Sequence, residues 1–123
     1  MTLLAINRSE CGTIPLLSLK GRLTLGEGSR ALRRSLEEIA AQGHKHALLD
    51  LNEVSYVDSS GLGSLVAGYN SLKSRQGSIG LLRVPPRVQE LLELSRLTAL
   101  FRFFATQEDA ARELAAEDAA AKP

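Results

Sequence analysis

The sequence predicts one small α/β domain, a mixed and mostly parallel sheet of about five strands with about four helices. Three observations predict it. The chain's 123 residues suffice for one core, since scaling relations give about 19,000 Å² of extended surface and about 6,500 Å² after folding. Short apolar runs alternate with segments of helical apolar spacing. Between Ala47 and Leu82 the order is run, helix, run; such a βαβ unit makes its strands parallel, with a right-handed crossover.

Each element has its own warrant. Thr2 to Arg8, with Leu4 and Ile6 two apart, and Thr13 to Leu19 read as two strands of a hairpin turned by Ser9-Glu10-Cys11-Gly12. Pro15 lacks an N–H, which places its end of the second strand at an edge or bulge. Lys20 to Gly26 reads as a loop. Leu32, Leu36 and Ile39 recur at i, i+4 and i+7, the stripe of an amphipathic helix, with Arg33/Glu37 and Arg34/Glu38 spaced to pair on its polar side and Gly43 as its stop.

Ala47-Leu48-Leu49-Asp50-Leu51 fits a strand buried on both faces. A second small group, Val54 to Val57, leads into Asp58-Ser59-Ser60-Gly61. Leu62, Leu65, Val66, Tyr69 and Leu72 then keep helical spacing as far as Gln76, and Gly77 is read as the stop. Ile79 to Leu82 is a further strand. Pro85-Pro86 ends it and opens a short helix through Val88, Leu91, Leu92 and Ser95. Phe101 to Phe104 is the last strand. Thr106 caps a final helix, with Asp109 in the place of a capping-box partner and Ala110 and Leu114 as core contacts. The domain is read as residues 1–114; residues 115–123 are an alanine-rich helix end expected to fray.

Composition excludes several functions. Fifteen Lys+Arg against fourteen Asp+Glu give a formal charge of +1, and aromatics are 4% without a Trp. That supplies neither the basic footprint of a general nucleic-acid binder nor stacking platforms for bases. No apolar run approaches the ~20 residues that span a bilayer, and the first residues are too polar for a signal peptide. Cys11, the only cysteine, cannot form an internal disulfide, which fits a reducing cytosol. His44 and His46, the only histidines, are read as solvated residues at a strand start; as an i, i+2 pair they lack an indicated third metal ligand. No cofactor and no metal site is expected.

The informative segment is Val57-Asp58-Ser59-Ser60-Gly61-Leu62-Gly63, where a buried strand gives way to a helix. In open α/β sheets that edge is where ligands and partners meet the protein. Asp58 suits an N-cap, and Ser59 and Ser60 fall in the first turn. Gly61, Gly63 and Gly68 each cost a helix about 1 kcal/mol relative to Ala; something packs closely against them, either another chain or the protein's own sheet. Asp-Ser-Ser-Gly is also simply a good helix start. An enzyme reading would make Ser59 or Ser60 a nucleophile. No Gly-x-Ser-x-Gly elbow surrounds them, and the histidines precede a strand at the opposite end.

From about Leu3 to Leu114 the order of elements resembles the STAS domain family, whose name joins sulfate transporters and anti-sigma factor antagonists. The residues that carry the resemblance are the Leu49-Asp50-Leu51 strand, Asp58-Ser59-Ser60-Gly61-Leu62-Gly63, the Pro86-x-Val88-x-x-Leu91-Leu92-x-Leu94 helix, and Phe101 to Phe104 followed by Asp109-Ala110. In length the chain is similar to the stand-alone, bacterial members, the anti-sigma factor antagonists of partner-switching circuits. The resemblance implies that Ser60 is phosphorylated by a serine kinase that is also the anti-sigma factor. The unphosphorylated form binds that partner and frees a sigma factor, and a serine phosphatase resets the switch. It further implies a cytoplasmic protein, not an enzyme, without membrane insertion or direct nucleic-acid contact. Asp58, Ser59, Gly61, Leu62, Gly63 and Thr24 are then partner-binding. Thr24 follows Gly21-Arg22-Leu23 where many family members carry an acidic residue, in a loop on the partner-facing side.

Simple electrostatics suits such a switch. A phosphate adds about −1.5 to −2 charges, and a helix N-terminus tolerates it. Two like charges ~5 Å apart repel by about 3 kcal/mol at an effective dielectric of ~20, more than a hundredfold in affinity. The rival expectation is a non-switching adaptor of the same family that docks on a membrane transporter, for example a lipid-transport complex.

Overall fold

The structure, a computed structural model, describes residues 4–121. Its elements are β1 (Leu4–Cys11), β2 (Ile14–Leu23), α1 (Glu27–Ala41), β3 (His46–Val57), α2 (Ser59–Lys73), β4 (Ser78–Leu82), α3 (Pro86–Leu94), a 3₁₀ turn (Thr98–Leu100), β5 (Arg102–Phe104) and α4 (Gln107–Ala121). The strands form one sheet in the order β1-β2-β3-β4-β5. β1 is antiparallel to β2, and the other three pairings are parallel. The expected mixed, mostly parallel sheet is the one that forms. Thr2 and Leu3 of the predicted first strand lie outside the described residues, as do 122–123 of the predicted tail.

Strand alternation sorts the core into two layers. Leu17 and Leu19 of β2, Ala47, Leu49 and Leu51 of β3, and Ile79 and Leu81 of β4 face one way. There they meet Leu32, Leu36 and Ile39 of α1, Leu65 and Leu72 of α2, and Val88 and Leu92 of α3. Leu16, Leu48, Leu82 and Phe104 face the other way, against Ala110 and Leu114 of α4. Three helices thus cover one face and α4 the other, with the predicted contacts of α4 fully buried.

Several expectations are corrected. β2 does not end at Leu19: it continues through Lys20-Gly21-Arg22 to Leu23, pairing with Glu53, Val54, Tyr56 and Val57 across two register shifts. For the same reason β3 runs unbroken through Asn52-Glu53, whose side chains are exposed, that of Glu53 pairing with Lys20 of β2 at 3.7 Å. Pro15 precedes the first β2–β3 pair, Leu16↔Leu48, so it has a strand on one side only. The Arg33/Glu37 and Arg34/Glu38 pairs do not form among the described residues. Gly43 does end α1, at φ 89°, with its N–H on the Ala40 carbonyl and that of His44 on Ile39. At the end of α2 the left-handed residue is Gln76, φ 61°. Gly77 serves another need: a Cβ there would lie 1.7 Å from the Lys45 carbonyl oxygen. His46 is buried, not solvated, and its Nδ1 lies 2.8 Å from the Ser78 hydroxyl. Thr106 Oγ1 accepts the Asp109 N–H at 3.1 Å, but the Asp109 carboxylate pairs with Arg112 instead of closing the box.

Candidate functional site

β2, β3 and the first turns of α1 and α2 meet at one end of the sheet, and Asp58 ties them together. Its backbone is extended, at φ −102° and ψ −175°. One carboxylate oxygen accepts the Gly61 N–H at 2.8 Å, which caps α2. The other accepts the Leu25 N–H at 2.9 Å, which holds the β2–α1 loop. The Asp58 N–H donates to the Leu23 carbonyl at 3.2 Å. The Leu25 N–H first, and the Gly61 N–H next, pull the carboxyl below its ordinary value, against a smaller opposing effect of desolvation. Asp58 is therefore the predicted cap and also a clasp on a loop 33 residues earlier.

Gly61 is buried against that loop. A Cβ there would fall 2.3 Å from the Leu23 carbonyl oxygen and 2.9 Å from Leu23 Cγ. Gly68 is likewise closed, by Leu36 of α1, whose Cδ1 would be 2.2 Å away. What packs on these two glycines is the protein's own β2 and α1. Gly63 differs: the nearest atom to a Cβ there is Nη2 of Arg33, at 4.0 Å.

Beneath this end lies a polar contact that the sequence reading missed. Ser29 of α1 and Ser64 of α2 are both buried. The Ser29 hydroxyl donates to the Ser60 carbonyl at 2.9 Å, and the Ser64 hydroxyl lies 2.9 Å from the Ser29 carbonyl and 3.1 Å from that of Ser60. The two hydroxyls also touch each other. They fix the first turn of α1 on the first turn of α2. The available signal was a serine three residues before Leu32, on the apolar stripe of α1.

The predicted site residues divide accordingly. Ser59 is exposed, and Asp58, Ser60, Gly63 and Thr24 are half-buried, all at this end of the molecule. Gly61 faces inward, and Leu62 packs against the main core. Among the described residues no hydrogen bond engages the hydroxyl of Ser60. Ser60 instead lines an open hollow of about 270 Å³ with Leu25, Ser29, Arg30, Arg33 and Gly63. Leu25 beside it is 77% exposed. An apolar cleft of about 280 Å³ lies between the end of β3 and α3, lined by Tyr56, Val57, Val88, Leu91 and Leu94. Leu65 is core, whereas Leu94 is exposed. His46 begins β3 and Asp58 follows its end, so the histidines stand at the far end of that strand from Ser60. Among the described residues no three His, Cys, Asp or Glu side chains group as a metal site, and no helix is long and apolar enough to cross a membrane.

Residues 7–102 match the family model described as Mlab, STAS domain, and the chain belongs to the STAS domain family. It is 42% identical over 50 residues to the anti-sigma-B factor antagonist of Listeria monocytogenes, a match covering 41% of this chain and 44% of that protein. It is 30% identical over 78 residues to the anti-sigma F factor antagonist of Paenibacillus polymyxa, covering 63% and 67%. The chain thus spans less than half the length of the Listeria relative it matches. Its fold is similar to that of the Bacillus cell-fate determinant SpoIIAA in the phosphorylated form. The TM-score is 0.72 at 21% identity, over 89% of this chain and 99% of that one.

Proposed function

We propose that this chain is the binding switch of a partner-switching circuit. Its unphosphorylated form binds an anti-sigma factor that is also a serine kinase, and a sigma factor is released. The kinase transfers the γ-phosphoryl group of ATP to Ser60: the Ser60 Oγ–P bond forms, the bond to the β-phosphate oxygen breaks, ADP leaves, and the hydroxyl proton passes to the kinase's base. A serine phosphatase hydrolyses the ester and restores the hydroxyl. The chain is substrate and binder, not catalyst, and works in the cytoplasm. Asp58, Ser59, Gly63, Thr24 and exposed Leu25 form the docking rim, while Gly61 and Leu62 hold its shape from beneath.

The observation that carries this reading is the Ser60 hydroxyl, which no hydrogen bond engages among the described residues, in the first turn of α2 and at the edge of an open hollow. The names of the relatives and the phosphorylated state of one solved neighbour support it. A phosphate there meets free N–H groups of a helix start and leaves the core untouched, so the signal is read by a partner and not by refolding. The test is incubation with the cognate serine kinase and ATP, followed by peptide mass spectrometry. One phosphate on Ser60 is expected; an unmodified Ser60, or phosphate on another residue, overturns the reading.

A second reading, a non-switching adaptor docked on a membrane transporter, has one observation in its favour. The apolar cleft between Tyr56 and Leu94 lies apart from the Ser60 hollow, with those two side chains 47% and 75% exposed. On that reading Ser60→Ala works normally and the chain co-purifies with transporter components.

A further inference from the structure

We infer that the chain pairs with a second copy of itself along β1, in a two-fold antiparallel contact that joins the two five-stranded sheets into one. β1 is an edge: among the described strands it pairs with β2 alone, and its eight residues keep one unbroken register. The opposite edge, β5, is three residues long. Short strands, bulges, Pro and Lys are what usually blunt an edge. β1 has none of these, and its residues 7–10 are exposed. Its free backbone groups follow from the hairpin. Gly12-Thr13, with Gly12 at φ 65°, joins Cys11 to Ile14. A two-residue turn of this kind closes on a hydrogen-bonded pair, and such pairs alternate along an antiparallel ladder. Cys11, Ser9, Asn7 and Ala5 therefore bond to β2, and the N–H and C=O groups of Leu4, Ile6, Arg8 and Glu10 point outward. Pro15, opposite Glu10, fits this alternation, because that pair needs no N–H.

Charge selects the occupant and the register. A hollow of about 340 Å³ lies between β1 and α1, lined by Leu4, Ile6, Arg8, Ala31, Arg34 and Glu38. α1 runs beside β1 in the same direction. Gly28 is by Leu4, where a Cβ would stand 3.2 Å from the Leu4 Cβ, and Gln42 is by Arg8, its Oε1 accepting from Nη2 at 2.6 Å. Arg34 and then Glu38 lie between. Neither has an ion-pair or hydrogen-bond partner among the described residues, and nor has Glu10. A second β1 laid antiparallel, Asn7 opposite Asn7, sets Leu4 against Glu10 of the second copy and Ile6 against Arg8 of the second copy. These side chains share the α1 side of the strand. The incoming Glu10 thus approaches Arg34 and the incoming Arg8 approaches Glu38, and the two-fold repeats both pairs. Gln42 takes one Nη of Arg8, which leaves donors for a carboxylate. Centring on Arg8 instead would oppose like charges, and centres nearer either end pair fewer of the described residues. Backbone pairing at an edge, with alternate side chains entering a hollow beside it, is how strand addition gains both affinity and specificity. The contact leaves the Ser60 end free, because Arg30 and Arg33 line that hollow and Arg34 and Glu38 this one. The inference therefore does not rest on the proposed phosphorylation.

Sedimentation velocity on the purified chain over a range of concentrations, joined to amide hydrogen exchange, tests the pairing. Wild type is expected to associate reversibly into a dimer, with the amides of Ile6, Arg8 and Glu10 exchanging more slowly as the dimer forms. Glu10→Arg sets a cation against Arg34 at both ends of the contact and should weaken the dimer about tenfold. Glu10→Arg/Arg34→Glu reverses the pair and should restore wild-type association. Both positions are exposed, and thermal melts confirm the fold of each variant. A wild type that stays monomeric at the highest concentration overturns the inference; an edge reserved for another protein's strand would give that result. A dimer that Glu10→Arg leaves unchanged, or that the double variant fails to restore, overturns it as well.

Discussion

Gly61 and Gly63 lie two residues apart on α2 and should respond to the same substitution with opposite signs. Gly61→Ala places a methyl 2.3 Å from the Leu23 carbonyl oxygen and 3.0 Å from Val57 Cγ1. The nearer obstacle is backbone and cannot rotate away, so the first turn of α2 must move off β2. Overpacking of this kind costs about 1–3 kcal/mol, and a backbone clash belongs at the upper end. Replacing glycine by alanine inside a helix returns about 1 kcal/mol. The net is a destabilisation of about 2 kcal/mol, or about 8 °C in Tm for a domain of this size. Gly63→Ala meets only the tip of Arg33, at 4.0 Å, and should gain about 0.5–1 kcal/mol. Circular dichroism melts and urea titrations of both variants measure the difference. A Gly61→Ala protein as stable as wild type would refute the packing of α2 on Leu23.

Three further outcomes are expected. Asp58→Asn lowers Tm at about pH 7. Because the folded carboxyl titrates below its ordinary 3.8, its stabilisation is complete above that value and is lost as pH falls through the folded pKa. The Tm gap between wild type and variant should therefore close in acid; a gap independent of pH contradicts the clasp. Leu49→Ala empties a site that is 0% exposed and should cost about 2–5 kcal/mol in urea unfolding, so a cost below 1 would place Leu49 outside the core. Burial first, and Glu108 second, push the Cys11 thiol up. It should react with a disulfide reagent slowly in native protein and at once in urea, and equal rates would contradict its burial.

The elements that sequence made legible are those whose residues repeat a single period. The α1 stripe, the doubly buried Ala47–Leu51 run and the strand–helix–strand unit made α1, β3, α2 and β4 legible. What escaped reading depends on contacts between distant segments. Lys20-Gly21-Arg22 has the composition of a turn and becomes strand because β3 continues beside it. Gly77 looks like a helix stop, yet it is small because the Lys45 carbonyl comes close. His46 looks solvated until Ser78 of the neighbouring strand is placed beside it. At the site, Asp58, Ser59 and Ser60 were legible because a helix start is a local motif. Arg30, Arg33 and Ser29 were not, because their relation to Ser60 exists only once α1 lies on α2. Leu25 was hidden likewise, since its N–H is tied to Asp58 across 33 residues.

The central claim is that a charge placed on Ser60 ejects a partner while the domain stays folded. Calorimetric titration of the cognate anti-sigma factor kinase with protein carrying serine or phosphoserine at position 60 tests it most directly, with Tm measured on both. Binding more than a hundredfold weaker for the phosphorylated protein, at nearly unchanged Tm, is the predicted result, with Ser60→Ala binding as tightly as wild type. Equal affinity of the two forms would contradict the claim.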